Sequence, residues 1–110
     1  MPHYLVQFSF ATVQVKGLVD KPQDREAAAR QVVEAFGGRL ECYYFMFGEF
    51  DGVGIAEFPD NESAAGFSMR VGSSGAFAAF QTHALLTAAE GQRAMEKAKS
   101  TGGGYRPPAG

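Results

Sequence analysis

The sequence predicts a small α+β domain in which two β-α-β halves build one antiparallel sheet, followed by a further helix. Three observations carry the prediction: side chains alternate with a period of two over residues 4–10, an apolar stripe at helical spacing runs from Ala28 to Phe36, and two β-rich runs flank a very short glycine-bearing connection near Gly48.

In the first strand Tyr4, Val6, Phe8 and Phe10 share one face, and Leu5, Gln7 and Ser9 the other. A linker is expected through Lys16, Gly17 and Asp20. Pro22 then suits a first helical turn, with Asp20 near enough to cap it. Ala28, Ala29, Val32, Val33 and Phe36 form the buried stripe of that helix. Gly37-Gly38 ends it, because glycine readily takes the left-handed conformation of a helix C-cap.

The second strand covers residues 40–47. Strict alternation puts Leu40, Cys42, Tyr44 and Met46 on one face and Tyr43, Phe45 and Phe47 on the other, so neither face is polar. Gly48-Glu49-Phe50 is the connection, and residues 51–58 form the third strand around Val53 and Ile55; so short a link implies a hairpin. Pro59-Asp60-Asn61-Glu62 opens a second helix that continues to about Val71, with acidic groups at its positive dipole end. Gly66 weakens it by ~1 kcal/mol relative to alanine, and Gly72-Ser73-Ser74-Gly75 stops it. A fourth strand over residues 77–83 puts Phe77, Ala79, Gln81 and His83 on one face. Thr87-Ala88-Ala89-Glu90 is a capping box that opens a terminal helix to about Lys99.

This β-α-β-β-α-β order is the ferredoxin-like arrangement: a four-stranded antiparallel sheet with two helices on one face, plus a C-terminal helix. Residues 1–100 read as one domain, and 101–110, rich in Gly and Pro, as a flexible tail. At 110 residues, 45% apolar and 20% charged, the chain sustains a core without metal or disulfide.

Composition also excludes. With net charge −2 and no run of Lys or Arg, the sequence offers no stripe for nucleic acid. It contains no apolar stretch near the ~20 residues that span a bilayer, so no membrane partner is expected. Met1-Pro2-His3-Tyr4 does not begin a signal peptide, and the expected location is cytoplasmic. Cys42 excludes an internal disulfide; among Tyr43, Tyr44, Phe45 and Met46 it reads as a small hydrophobe rather than a reactive thiol.

In a two-layer domain of this order the sheet face away from the helices should be polar if it meets water. A strand apolar on both faces breaks that rule, and leaving several aromatics exposed forfeits roughly 1.5–3 kcal/mol for each. A second copy packed sheet to sheet resolves the conflict. The alternative is that the terminal helix or the linker folds back over the open face.

The run Phe47-Gly48-Glu49-Phe50-Asp51, followed by Gly52-Val53-Gly54-Ile55, resembles the signature of the GYD-domain family. Lys16-Gly17-Leu18 before Asp20-Lys21-Pro22, Gly37-Gly38 before Leu40-Glu41, and Leu85-Leu86-Thr87 before the last helix are also similar to it. The likeness covers roughly residues 4–98. At the name-giving tyrosine this chain carries Phe50, so any role of a phenol hydroxyl there is missing. The resemblance implies a dimeric α/β-barrel assembly and supplies no reaction; members of that wider superfamily include monooxygenases, lactone isomerases and ligand-sensing domains.

The residues offer few catalytic constellations. His3 and His83, the two histidines, lie in no metal-ligand spacing, and no metal or other cofactor is expected. Glu49 and Asp51 flank Phe50 at the hairpin, although an Asp before Gly reads first as turn chemistry. The glycines at 52–54 and 72–75 do not precede a helix as a phosphate loop requires. Haem degradation is disfavoured because members of that superfamily that perform it use a pocket Trp, which this chain lacks.

The expected ligand wall is Tyr43, Phe45, Phe50, Asp51, Gln81 and His83. Three functions follow as expectations. The first is a homodimer holding a small apolar or aromatic molecule in a cavity of the sheet. The second is a cofactor-independent isomerase or monooxygenase on an activated ring, with His83 as proton shuttle and Glu49 or Tyr43 assisting. The third is a structural protein that assembles into higher homo-oligomers.

Overall fold

The computed structural model describes residues 1–109; Gly110, the last residue of the expected tail, lies outside the described residues. In chain order the elements are β1 (His3–Phe10), α1 (Thr12–Asp20), α2 (Arg25–Ala35), β2 (Arg39–Phe45), β3 (Gly52–Glu57), α3 (Asn61–Gly72), β4 (Phe77–Leu85) and α4 (Ala88–Ser100). The strands form one antiparallel sheet in the order β2-β3-β1-β4. This is the ferredoxin-like fold predicted from the sequence.

The core lies between the sheet and helices α2 and α3. β1 gives it Tyr4, Val6, Phe8 and Phe10, as its alternation requires, and Val33, Ala64 and Phe67 answer from the helices. Phe58, just past β3, is completely buried, with its ring 5.1 Å from that of Phe67.

Helix boundaries follow local chemistry. The Asp60 carboxylate accepts the Ser63 N–H at 2.8 Å and starts α3. At α4 the capping box is complete: Thr87 Oγ1 accepts the Glu90 N–H at 3.1 Å and Glu90 Oε1 accepts the Thr87 N–H at 2.8 Å. After α2, Gly37 takes φ +77°, and the Gly37 and Gly38 N–H groups donate to the carbonyls of Glu34 and Val33.

Three expectations are corrected. First, the stretch expected as a linker through Lys16, Gly17 and Asp20 is the helix α1. Its β-branched Thr12, Val13, Val15 and Val19 and its Gly17 are weak helix formers, and it buries no residue. It is tied down by the Ala11 N–H on the Ala76 carbonyl, 2.9 Å, and by the Lys16–Asp20 ion pair, 2.8 Å. Second, Asp24 rather than Asp20 caps α2, accepting the Ala27 N–H at 3.0 Å, and Pro22 stands before the helix.

Third, two β-bulges change which side chains share a face. In β2, Leu40 pairs with Ala56 but Cys42 pairs with Ile55, which leaves Glu41 as the extra residue. Leu40 therefore faces the helices with Tyr43, while Cys42 and Tyr44 face the open side. In β4, Ser9 pairs with Ala79 and Phe10 with Phe77, so Ala78 is extra. Phe77 turns to the helix side, and Ala79, Gln81 and His83 stay on the other.

The open face is apolar on one half, with Leu5, Cys42, Val53, Ile55 and a largely exposed Tyr44, and polar on the other, with Gln7, Gln81 and His83. The terminal helix does not fold back to bury itself there, because no residue of α4 is buried. The Cα radius of gyration, 17.6 Å, exceeds the roughly 13 Å of a compact domain this long, as a projecting helix and tail would make it.

Candidate functional site

Small side chains on facing elements leave room between the sheet and the two core helices. β3 presents Gly54 and Ala56 toward the helices, and α2 presents Ala28 and Ala29 toward the sheet. Between them lies a cavity of about 370 Å³. Phe8, Phe10, Phe77 and Phe80 wall it on the β1–β4 side, their rings in mutual contact at 5.2–6.4 Å. Val32, Val33 and Phe67 close it from the helices. Such an apolar concavity with a few polar groups is how small-molecule sites are built.

Those polar groups sit together for a topological reason. α2 runs antiparallel to β1 and α3 antiparallel to β3, so the first turn of α2 and the last turn of α3 meet at the Phe10–Phe77 end of the sheet. Arg25 comes from the former, Arg70 from the latter, and Ser74 from the turn that follows; all three border the cavity.

Tyr43 is the polar group that reaches in from β2. Its ring lies 5.8 Å from that of Phe8. Burial raises its pKa above the ordinary tyrosine value; the nearby carboxylates of Glu26 and Asp24 add to the rise, and Arg25 opposes it. The phenol is protonated at neutral pH, so Tyr43 can act as a hydrogen-bond donor at the cavity wall.

The residues expected from sequence distribute as follows. Tyr43 lines the cavity. Phe45 meets Tyr43 edge-on at 5.6 Å but is 59% exposed and lies outside the cavity wall. Phe50, half-buried in the β2–β3 connection, is outside it too. Asp51 clamps the hairpin to the end of β1: its Oδ2 accepts the Phe10 N–H at 2.9 Å, and its N–H donates to the Phe8 carbonyl at 2.8 Å.

Gln81 and His83 are exposed on the opposite face of the sheet, with His83 Nε2 3.2 Å from Gln81 Oε1. His83 was expected beside an aromatic cavity on the strength of sharing a face with Phe77. The bulge at Ala78 separates the two. Glu49 is exposed at the hairpin, its carbonyl accepting the Ser9 hydroxyl at 2.9 Å, whereas His83 pairs with Leu5. Four residues along β1, about 13 Å, separate these positions, so the fold does not bring Glu49 and His83 together.

His3 meets two carboxylates rather than His83. Its Nδ1 lies 3.0 Å from Glu41 Oε1 and its Nε2 3.7 Å from Glu57 Oε1. The three side chains would be within reach of one cation, but the Arg39 guanidinium already pairs with Glu57 and lies 3.7 Å from Glu41. The group reads as an ion-pair network across three strands. No local spacing in the sequence announces it.

Sequence reasoning missed Arg25, Arg70, Ala28, Gly54 and Phe80 as cavity residues. One signal was present: Gly54 and Ala56 stand two apart on a strand, which marks that part of one face as too small to fill the space before it.

Comparison with known proteins agrees with the fold. No curated protein matches the chain. Among solved structures, one titled "crystal structure of FFRP-DM1" superposes with a TM-score of 0.54 at 13% identity, covering 78% of this chain and 100% of that one; the likeness is one of fold. The family model of the GYD domain matches residues 4–95, a span that includes all four strands, the cavity between them and α2 and α3, and the first half of α4. The chain belongs to the GYD domain family.

Proposed function

We propose that the protein is a homodimer that holds a small apolar or aromatic molecule in the cavity between its sheet and helices α2 and α3. The observation that carries this reading is the cavity itself: about 370 Å³, lined by five phenylalanines, with Tyr43 among its few polar residues. A ring placed there gains edge and face contacts with Phe8, Phe77 and Phe80. The dimer rests on the open face, where Tyr44 is 66% exposed beside Ile55 and Val53, and on α4, which leaves Met95 72% exposed. A second copy is the occupant that an isologous apolar face favours.

The test is an amide NMR titration with paired aromatic alcohols and acids, together with sedimentation at micromolar concentration. The expected result is saturable shifts at Tyr43, Gly54 and Val71, with Gln81 and His83 unmoved, on a particle of twice 11.8 kDa. Shifts absent from the cavity across both ligand series would overturn the binding half of the reading. A single-chain mass would overturn the dimer.

A further inference from the structure

Within that reading, we infer that the ligand is an acid: a small aromatic or apolar carboxylate whose ring or chain fills the cavity and whose anionic end meets Arg25 and Arg70.

Arg25 and Arg70 are the two charged residues on a lining that is otherwise almost entirely apolar. Neither lies within 4.0 Å of a carboxylate among the described residues. Arg25 makes one neutral bond, Nη1 to Gln23 Oε1 at 3.1 Å. The carboxylates closest to it in sequence are engaged elsewhere. Asp24 caps α2 through the Ala27 N–H, and Glu26 pairs with Arg30 at 2.6 Å. The Ser74 hydroxyl is likewise spent on the Val71 carbonyl, at 2.6 Å. Two arginines are left at one end of an apolar cleft with no ion-pair partner within 4.0 Å among the described residues.

Guanidinium is the side chain best matched to a carboxylate, because its planar fork donates two parallel N–H bonds to the two oxygens. The fold brings one arginine from each helix to the lining, and neither helix touches the cavity through any other charged residue. A neutral hydrocarbon would leave both unused. A dianion or a large polar ligand would have to desolvate against the phenylalanine wall. A monocarboxylate with an apolar body satisfies both ends, and the protonated Tyr43 hydroxyl supplies a further donor.

The probe pair is 2-naphthoate and its neutral counterpart 2-naphthalenemethanol, titrated into the full-length protein by calorimetry and amide NMR at pH 7 and low salt. The acid should bind about tenfold more tightly, and added salt should reduce the difference. In the Arg25→Gln/Arg70→Gln double variant the ratio of acid to alcohol affinity should fall from about tenfold to about one. Arg70 is exposed and Arg25 half-buried, and neither belongs to the buried core, so circular dichroism should report an unchanged fold. Equal affinities for acid and alcohol, with shifts in the cavity, would overturn the acid reading and leave the cavity reading standing. A preference that survives in the double variant would overturn the assignment to these arginines. Failure of both probes to shift Tyr43, Gly54 and Val71 would overturn both readings together.

Discussion

The tip of the Phe8 ring sits against Gly52, and the contact leaves no space for a side chain on that glycine. A Cβ added at Gly52 would come 2.6 Å from Phe8 Cε2 and closer still to Cζ. Phe8 cannot retreat, because the rings of Phe10, Tyr43, Phe77 and Phe80 surround it at 5.4–6.4 Å. Gly52→Ala should therefore destabilise the fold by about 1–3 kcal/mol, the usual cost of overpacking. Urea denaturation measures it. Adding Phe8→Leu should recover part of the loss, so the two changes should be less than additive; full additivity would mean the contact is not the cause.

Asp51 gives a second prediction on the same hairpin. Its carboxylate holds the last amide of β1, and its own N–H holds the Phe8 carbonyl. Asp51→Ala should cost about 1–2 kcal/mol through loss of a charge-assisted bond. Asp51→Asn keeps an acceptor oxygen and should cost less. If the residue instead served ligand chemistry, Asp51→Ala would abolish binding at unchanged melting temperature.

These two residues show how far the sequence could be read. The glycine-bearing connection, the Thr87–Glu90 box and the alternation of β1 are local signals, and each became the element it implied. What was illegible depends on contacts between strands. A bulge inserts one residue without changing composition, so nothing in the run from Leu40 to Phe45 reveals that Glu41 is the extra one. Yet that residue decides that Tyr43 joins Leu40 in facing the helices. The bulge at Ala78 likewise parts His83 from Phe77, and with it the expected site from the observed one. α1 escaped for a different reason: with no buried stripe, it has no period to detect.

Tyr43 should reveal its setting on titration. Because burial, reinforced by Glu26 and Asp24, raises its pKa, one phenol in an ultraviolet titration should ionise above the ordinary tyrosine range. That transition should be missing in Tyr43→Phe. Arg25 acts in the opposite sense, so Arg25→Gln should push it higher still. The folded state holds this proton more tightly than the unfolded chain. Stability from this group is thus complete below the ordinary tyrosine pKa and falls as pH rises through the elevated one.

At the acid end the helix caps take over. Glu90 is held below the ordinary glutamate range, first by its bond with the Thr87 backbone N–H; Asp60 is lowered in the same way by Ser63. The folded values are depressed, so the stabilisation is present at neutral pH and is lost as pH falls through them. Carbon-detected NMR of the carboxyl groups should find both transitions below those of the unfolded chain. Thr87→Ala keeps the backbone N–H that holds the Glu90 carboxylate, so it should release only the smaller, side-chain part of the shift while fraying the start of α4.

The open face supplies the test of assembly. Tyr44 and Ile55 lie on adjacent strands there, directed away from the helix-covered core. In a sheet-to-sheet dimer, Tyr44→Lys/Ile55→Lys brings four ammonium groups into one interface, where unpaired charge costs several kcal/mol. The dimer should weaken at least ~100-fold, and sedimentation should move from twice 11.8 kDa to the single-chain mass. The far-ultraviolet spectrum should hold, since neither side chain belongs to the buried core. The cavity lies on the other side of the sheet, so a monomeric variant should still bind 2-naphthoate. Retained dimerisation in the lysine variant would place the interface elsewhere, with the exposed faces of α1 and α4 as the surfaces to substitute next.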